Sequence, residues 1–224
     1  MPVSKKVRPK TAKTAPRERA ATPPLPDRRA MEAFRAALGE QRNDVATAQA
    51  QDLIYDAWEE ADPRTRIALA RKALSVSPLC ADAFSVLAEE AKSAAASRDL
   101  YARALEAAEL ALGPEAFQGY AGHFWGYLET RPYMRARAGL ASALRQLGDD
   151  EAAIRHYREM LKLNPNDNQG IRYVFAACLL QRGEDAAVKE LLAAYPDESS
   201  TCWLYTRTLL AFRDGGGDDA QALA

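Results

Sequence analysis

Four things are missing from this chain of 224 residues: a membrane-length apolar run, strand-like alternation, a paired cysteine motif and all but two histidines. Without about 18 consecutive apolar residues, no segment reads as a transmembrane helix. The opening MPVSKKVRPKTAKTAPRERAATPPLPDRR is positively charged but has no hydrophobic stretch behind it. A secretory signal needs that stretch, so a cytoplasmic location is expected. Cys80, Cys178 and Cys202 are odd in number and far apart, and none falls in a C-x-x-C spacing. That argues against a zinc or redox site and for reduced structural thiols. Cys178, inside VFAACLL, reads as a small buried hydrophobe. A metal centre needs several ligands at helical or loop spacing, and a nucleophilic triad needs an activated Ser or Cys; His123 and His156 come with neither. The glycines of RDGGGDD lack the Lys-Ser/Thr and following helix of a phosphate cradle, so this stretch reads as a flexible tail. The expectation is a non-catalytic protein with no cofactor.

With 48% hydrophobic and 27% charged residues, the chain has the composition of an ordinary globular protein. Its net charge of -1 hides an asymmetry. Through Arg29 there are nine basic residues against Glu18 and Asp27, a net of +7, which leaves -8 on the remainder. This Pro- and Thr-rich arm has no apolar periodicity to offset its ordering entropy, so residues 1–26 are expected to be a disordered basic tail. Most such arms solubilise, and some bind nucleic acid or acidic surfaces. A nucleic-acid partner is therefore admitted only through this tail. The reading continues with an N-terminal helix and linker over 27–45, a helical domain over 46–213 and a Gly/Asp tail over 214–224.

From about Arg28 onward the periodicity is helical. Leu53, Ile54, Ala57, Trp58 and Ala61 fall at offsets 0, 1, 4, 5 and 8, and Phe84, Leu87, Ala88 and Ala91 at 0, 3, 4 and 7, each set forming one apolar stripe. Helix stops and starts are marked by Pro63, Pro78, Gly113-Pro114, Pro132, Gly148, Pro165, Gly183 and Pro196. Helices of a few turns joined by short links demand antiparallel neighbours.

Gly148 and Gly183 are 35 residues apart, close to the period of about 34 in a tetratricopeptide repeat. The segment MRARAGLASALRQLGDDEAAIRHYREMLKLNPND resembles that family position by position. Leu140, Ala141 and Leu144 stand at the first helix's core sites, Gly148 at its end, Ala153, Tyr157 and Met160 on the second helix, and Pro165 at the closing turn. The unit from Gln169 to Tyr195 repeats the pattern with Phe175, Ala176, Leu179, Gly183, Ala187 and Leu191. Two earlier units are more degenerate: one has Arg66 where a small residue belongs, and the other, residues 81–105, has a shortened turn. The order of SPLCADAFSVLAEEA, LYARALEA, LASALRQLGDDEAAI and LLAAYPDESSTCWLYTRTLLAFR also resembles the core of the suppression-of-tumorigenicity seven family, across roughly residues 50 to 213. That family's membrane-spanning segments have no counterpart here, and the resemblance brings no catalytic residues. Together the resemblances imply an all-α, right-handed superhelix of antiparallel helix pairs.

One stretch, GHFWGYLETRPYMRAR from Gly122 to Arg137, concentrates histidine, aromatics and arginines. Phe117, Tyr120, Phe124, Trp125 and Leu128 fall at offsets 0, 3, 7, 8 and 11, which predicts a core plug on one helical face with Trp125 buried. His123 reads as a packing or capping residue, and Glu129 with Arg131 as a local ion pair at a turn.

The resulting functional expectation is a scaffold that receives a peptide or partner helix in the groove of the solenoid; a tether acting through the basic tail is the alternative. In tetratricopeptide domains the groove is lined by first-helix side chains. In this register those include Arg135, Ala138, Ser142, Arg145 and Gln146, then Tyr173, Ala177 and Gln181. Arg135, Arg145, Tyr173 and Gln181 are the candidate partner-binding residues, suited to carboxylates and an apolar side chain. The Lys/Asn clamp of chaperone-binding members is not matched, because Ser85, Glu89, Ala138 and Ser142 stand at its positions.

Overall fold

The computed structural model describes residues 22–38 and 40–215. Most of the basic tail, residues 1–21, and residues 216–224 of the acidic one lie outside that range. The described residues are helical with no strand: α1 (Arg28–Leu38), α2 (Glu40–Glu59), α3 (Pro63–Val76), α4 (Ala81–Glu89), α5 (Ala94–Gly119), a 3-10 turn (Phe124–Gly126), α6 (Arg131–Gln146), α7 (Asp150–Leu163), α8 (Ile171–Gln181), α9 (Asp185–Ala194) and α10 (Thr201–Arg213). α2 thus begins at Glu40, earlier than the expected domain start at residue 46.

Local chemistry explains the boundaries. The Asp62 carboxylate accepts from the Thr65 amide at 3.0 Å and Pro63 occupies the first turn, a start signal that satisfies otherwise orphaned N–H groups. Ser93 and Asp149 cap α5 and α7 in the same way. Gly148, at φ 82°, closes α6: its amide donates to Arg145 O at 3.0 Å and the Asp149 amide to Leu144 O at 2.9 Å. Gly183 closes α8 identically, with Glu184 N donating to Leu179 O at 3.0 Å. Both glycines sit in the left-handed region that ends helices in this motif. α5 is broken at Gly113 (φ 70°), so its last turns run in a new direction.

α2/α3, α4/α5, α6/α7 and α8/α9 are successive helix pairs, and α10 takes the position of a fifth first helix. The molecule is an all-α helical-repeat superhelix. The repeat register holds in the core: Leu140, Ala141, Leu144, Ala153, Tyr157, Met160, Phe175, Ala176, Leu179 and Leu191 are all buried. α4 is central, with every residue from Ala81 to Ala88 buried. Arg66 serves where a small residue would, because its guanidinium bridges to Glu90 at 2.6 Å and Glu89 at 2.7 Å and ties α3 to the end of α4. α1 packs across α2 and α5 and buries Met31.

The aromatic stretch is not one helical face. Glycines at 119, 122 and 126 interrupt it, and α5 ends before a loop and the 3-10 turn. Phe124 is fully buried, stacked on Phe117 at 5.3 Å with the Tyr133 ring edge-on to both, so a plug exists. Trp125, expected inside, is only half-buried, and Leu128 is exposed. The loop is fastened to the end of α7: the Gly122 amide donates to Leu163 O at 2.8 Å and the Trp125 amide to Asn164 Oδ1 at 3.3 Å. Arg131 does not serve as the expected partner of Glu129. Its Nε donates to Trp125 O at 3.1 Å and its guanidinium lies over the Trp125 ring, while Glu129 sits beside the Tyr120 hydroxyl and raises its pKa. His123 is exposed at the start of the 3-10 turn and makes no side-chain cap.

Candidate functional site

The first helices of the pairs are joined directly by polar side chains. On α4, the Asp82 carboxylate is fully buried. It accepts from Gln51 Nε2 on α2 at 3.1 Å, from Arg135 Nε on α6 at 2.9 Å, and from Arg135 Nη2. A buried carboxylate requires such partners, and the guanidinium fork supplies two donors at once. The same guanidinium lies over the Trp58 ring, 5.0 Å from its centroid, and Trp58 in turn is 5.8 Å from Tyr55. Tyr55 is 53% exposed and Trp58 37%, so this layer presents two aromatic rings held by a charged node.

Two cavities of about 550 Å³ lie along this layer. The first, between α2, α5 and α6, is lined by Gln51, Tyr55 and Arg135 together with Leu110 and the loop residue Leu128. The second, between α6 and α8, is lined by Ala138, Arg145, Val174 and Gln181. There Arg145 Nη2 donates to Gln181 Oε1 at 2.6 Å, and Arg145 Nε approaches Asp150 at 3.5 Å. Arg145, with Asp150 beside it, and the amide of Gln181 give this cleft a polar side next to the apolar Val174.

The four sequence-derived residues are therefore distributed. Arg145 and Gln181 are brought together. Arg135 lines the other cavity, and its bond to buried Asp82 makes it part of the framework. Tyr173 belongs to neither cavity: its hydroxyl donates to Glu198 Oε2 at 2.7 Å and its ring meets Trp203 edge-on at 5.7 Å. That network anchors the C-terminal helices. Arg172 pairs with Asp167 at 2.9 Å and with Glu198 and lies over the Tyr173 ring, while Asp167 caps α8 by accepting from the Ile171 and Arg172 amides. Hydrogen bonds from Tyr173, the Ser200 amide and Arg172 hold the Glu198 carboxyl down at about 2. Sequence reading missed Tyr55, because it flanks the apolar stripe, and misassigned Trp58, because a stripe cannot tell a core ring from one capped by a cation.

Among the described residues, no group of three or more His, Cys, Asp or Glu could hold a metal ion, and no helix is long and apolar enough to cross a membrane. The model of the ST7 protein family matches residues 40–216. No curated protein is significantly similar. Among solved structures, the chain is similar to YrrB, described as a TPR protein with an unusual peptide-binding site, at 20% identity over 87% of this chain and 90% of that one, TM-score 0.49. It is also similar to the pilF protein of Pseudomonas aeruginosa, at 18% identity over 81% and 90%, TM-score 0.38.

Proposed function

This chain belongs to the ST7 protein family, and from that premise we propose that it is a non-catalytic interaction scaffold whose layer of first helices receives an extended peptide or a partner helix. The observation that carries this reading is the pre-organised aromatic pair: Tyr55 lines a cavity with the exposed Trp58 ring against it, while Arg135, locked by Asp82, holds the Trp58 ring in place. Exposed aromatic anchors fixed by a rigid second layer are the usual source of binding energy at protein interfaces. The cleft at Arg145 and Gln181 adds donors for a carboxylate or for peptide carbonyls, with Val174 as an apolar contact. A ligand spanning both cavities would bring an apolar or aromatic side chain to Tyr55 and Trp58 and acceptors to Arg145.

The test is capture of a partner by the full chain followed by calorimetry with variants. Trp58→Ala and Arg145→Ala should each weaken binding by about 1–3 kcal/mol, typical of interface anchors, without altering helicity. Unchanged affinity in both folded variants would exclude this layer as the receiving surface. Arg135→Ala is not a suitable probe, because it strips the partner from a buried carboxylate.

A further inference from the structure

α10 has two apolar faces and only one is covered. Trp203, Thr206 and Leu210 are buried against the preceding unit. On the opposite side Leu204, Tyr205, Leu209 and Phe212 remain open, with Tyr205 69% and Phe212 67% exposed. With Thr208 they occupy offsets 0, 1, 4, 5 and 8 along the helix, one continuous stripe. Among the described residues no helix covers this apolar face.

We propose that the occupant is α10 of a second copy of this chain, packed antiparallel about a two-fold axis that passes between Thr208 and Leu209. The arrangement of residues is self-complementary about that point. Tyr205 falls opposite Phe212 of the second copy, and Thr208 opposite its Leu209, so aromatic rings meet at both ends and a small residue lies at the crossing. The Thr208 hydroxyl already donates within the helix, to Leu204 O at 3.0 Å, and asks nothing of a partner. The face carries no charge, and the charged groups around it are satisfied inside the chain: Arg213 on Asp185 at 2.6 Å, Lys189 on Asp214 at 2.6 Å, and Arg207 on Pro196 O at 3.0 Å. Nothing at this rim would select a charged foreign partner. Residues 1–21 contain no Leu, Ile or aromatic residue and residues 216–224 a single Leu, so neither stretch offers an apolar stripe to the face.

The area sets the strength. Two aromatic side chains and two leucines at these exposures leave on the order of 400 Å² open, given about 150–250 Å² per aromatic side chain. A pair of such faces, with its rim, would bury roughly 800–1,000 Å², below the roughly 1,200–2,000 Å² of stable complexes. Association is therefore weak and reversible, with a dissociation constant in the micromolar range or above, and governed by concentration.

Sedimentation of the full chain tests this, from about 5 to about 500 µM, with a thiol reductant present because Cys202 is exposed and a disulfide would mimic assembly. The mass should rise from one chain to two and stop there. Tyr205→Glu combined with Phe212→Glu should remain at one chain while keeping helicity, and Tyr205→Ser alone should weaken association at least tenfold. Trp58→Ala, on the layer assigned to partner binding, should leave it unchanged, so the two surfaces can fail separately. A constant one-chain mass, species larger than two, or unaltered dimerisation in a folded Tyr205 variant would each overturn the proposal.

Discussion

Gly139 of α6 lies against Tyr101 of α5. A Cβ there would come within 2.1 Å of the Tyr101 ring, far inside van der Waals contact. Gly139→Ala should therefore destabilise by about 1–3 kcal/mol, as overpacked sites do, and the cost should shrink in a Tyr101→Ala background, where the ring is gone; chemical denaturation of the four variants of that cycle checks this. His156 gives a second residue-scale prediction. Burial, with Arg137 and Arg155 adding repulsion, pushes its pKa from 6.5 down to about 4. Between those values the unfolded chain binds a proton that the folded chain does not. The neutral histidine's contribution is thus fully present above 6.5 and is lost as pH falls toward 4. Melting temperature should drop across that window by less in His156→Gln than in the natural chain.

At the scale of elements, the Gln51–Asp82–Arg135 chain couples α2, α4 and α6. Arg135→Ala leaves the fully buried Asp82 carboxylate with Gln51 as its hydrogen-bond donor but no countercharge, and because the guanidinium is partly solvated the loss should be about 3 kcal/mol, the low end for broken buried pairs. Replacing both charges, as Asp82→Leu with Arg135→Met, should cost less than the single change; equal or greater loss would show that the ion pair itself holds these helices together. The repeat was legible at this scale because core sites recur on fixed helical offsets, and Gly148 and Gly183 had to end helices. The Arg135 partner lies 53 residues away, and no local pattern announces it.

For the whole molecule, stability in a stack of helix pairs is a sum of neighbour contacts, so protection should follow position. α4, buried along nearly its full length, should show the slowest amide exchange, and α10, which among the described residues has a neighbour on one side only, among the fastest. Hydrogen exchange read helix by helix checks this; fast exchange in α4 would contradict the packing. At concentrations where α10 faces pair, its exchange should slow selectively.

The sequence by itself determined the helices, their pairing and the register of the core, because apolar offsets, caps and breakers act within a few residues of one another. Tertiary structure decided which of the outward side chains are free. Arg135 is bound, Arg145 and Gln181 share a cleft, Tyr173 is drawn into the Arg172–Glu198 network, Trp58 faces outward and Phe124 rather than Trp125 fills the aromatic plug. Each outcome depends on a residue from another helix pair, and the energy of a buried charge or a covered ring is set by that distant neighbour rather than by the local chain.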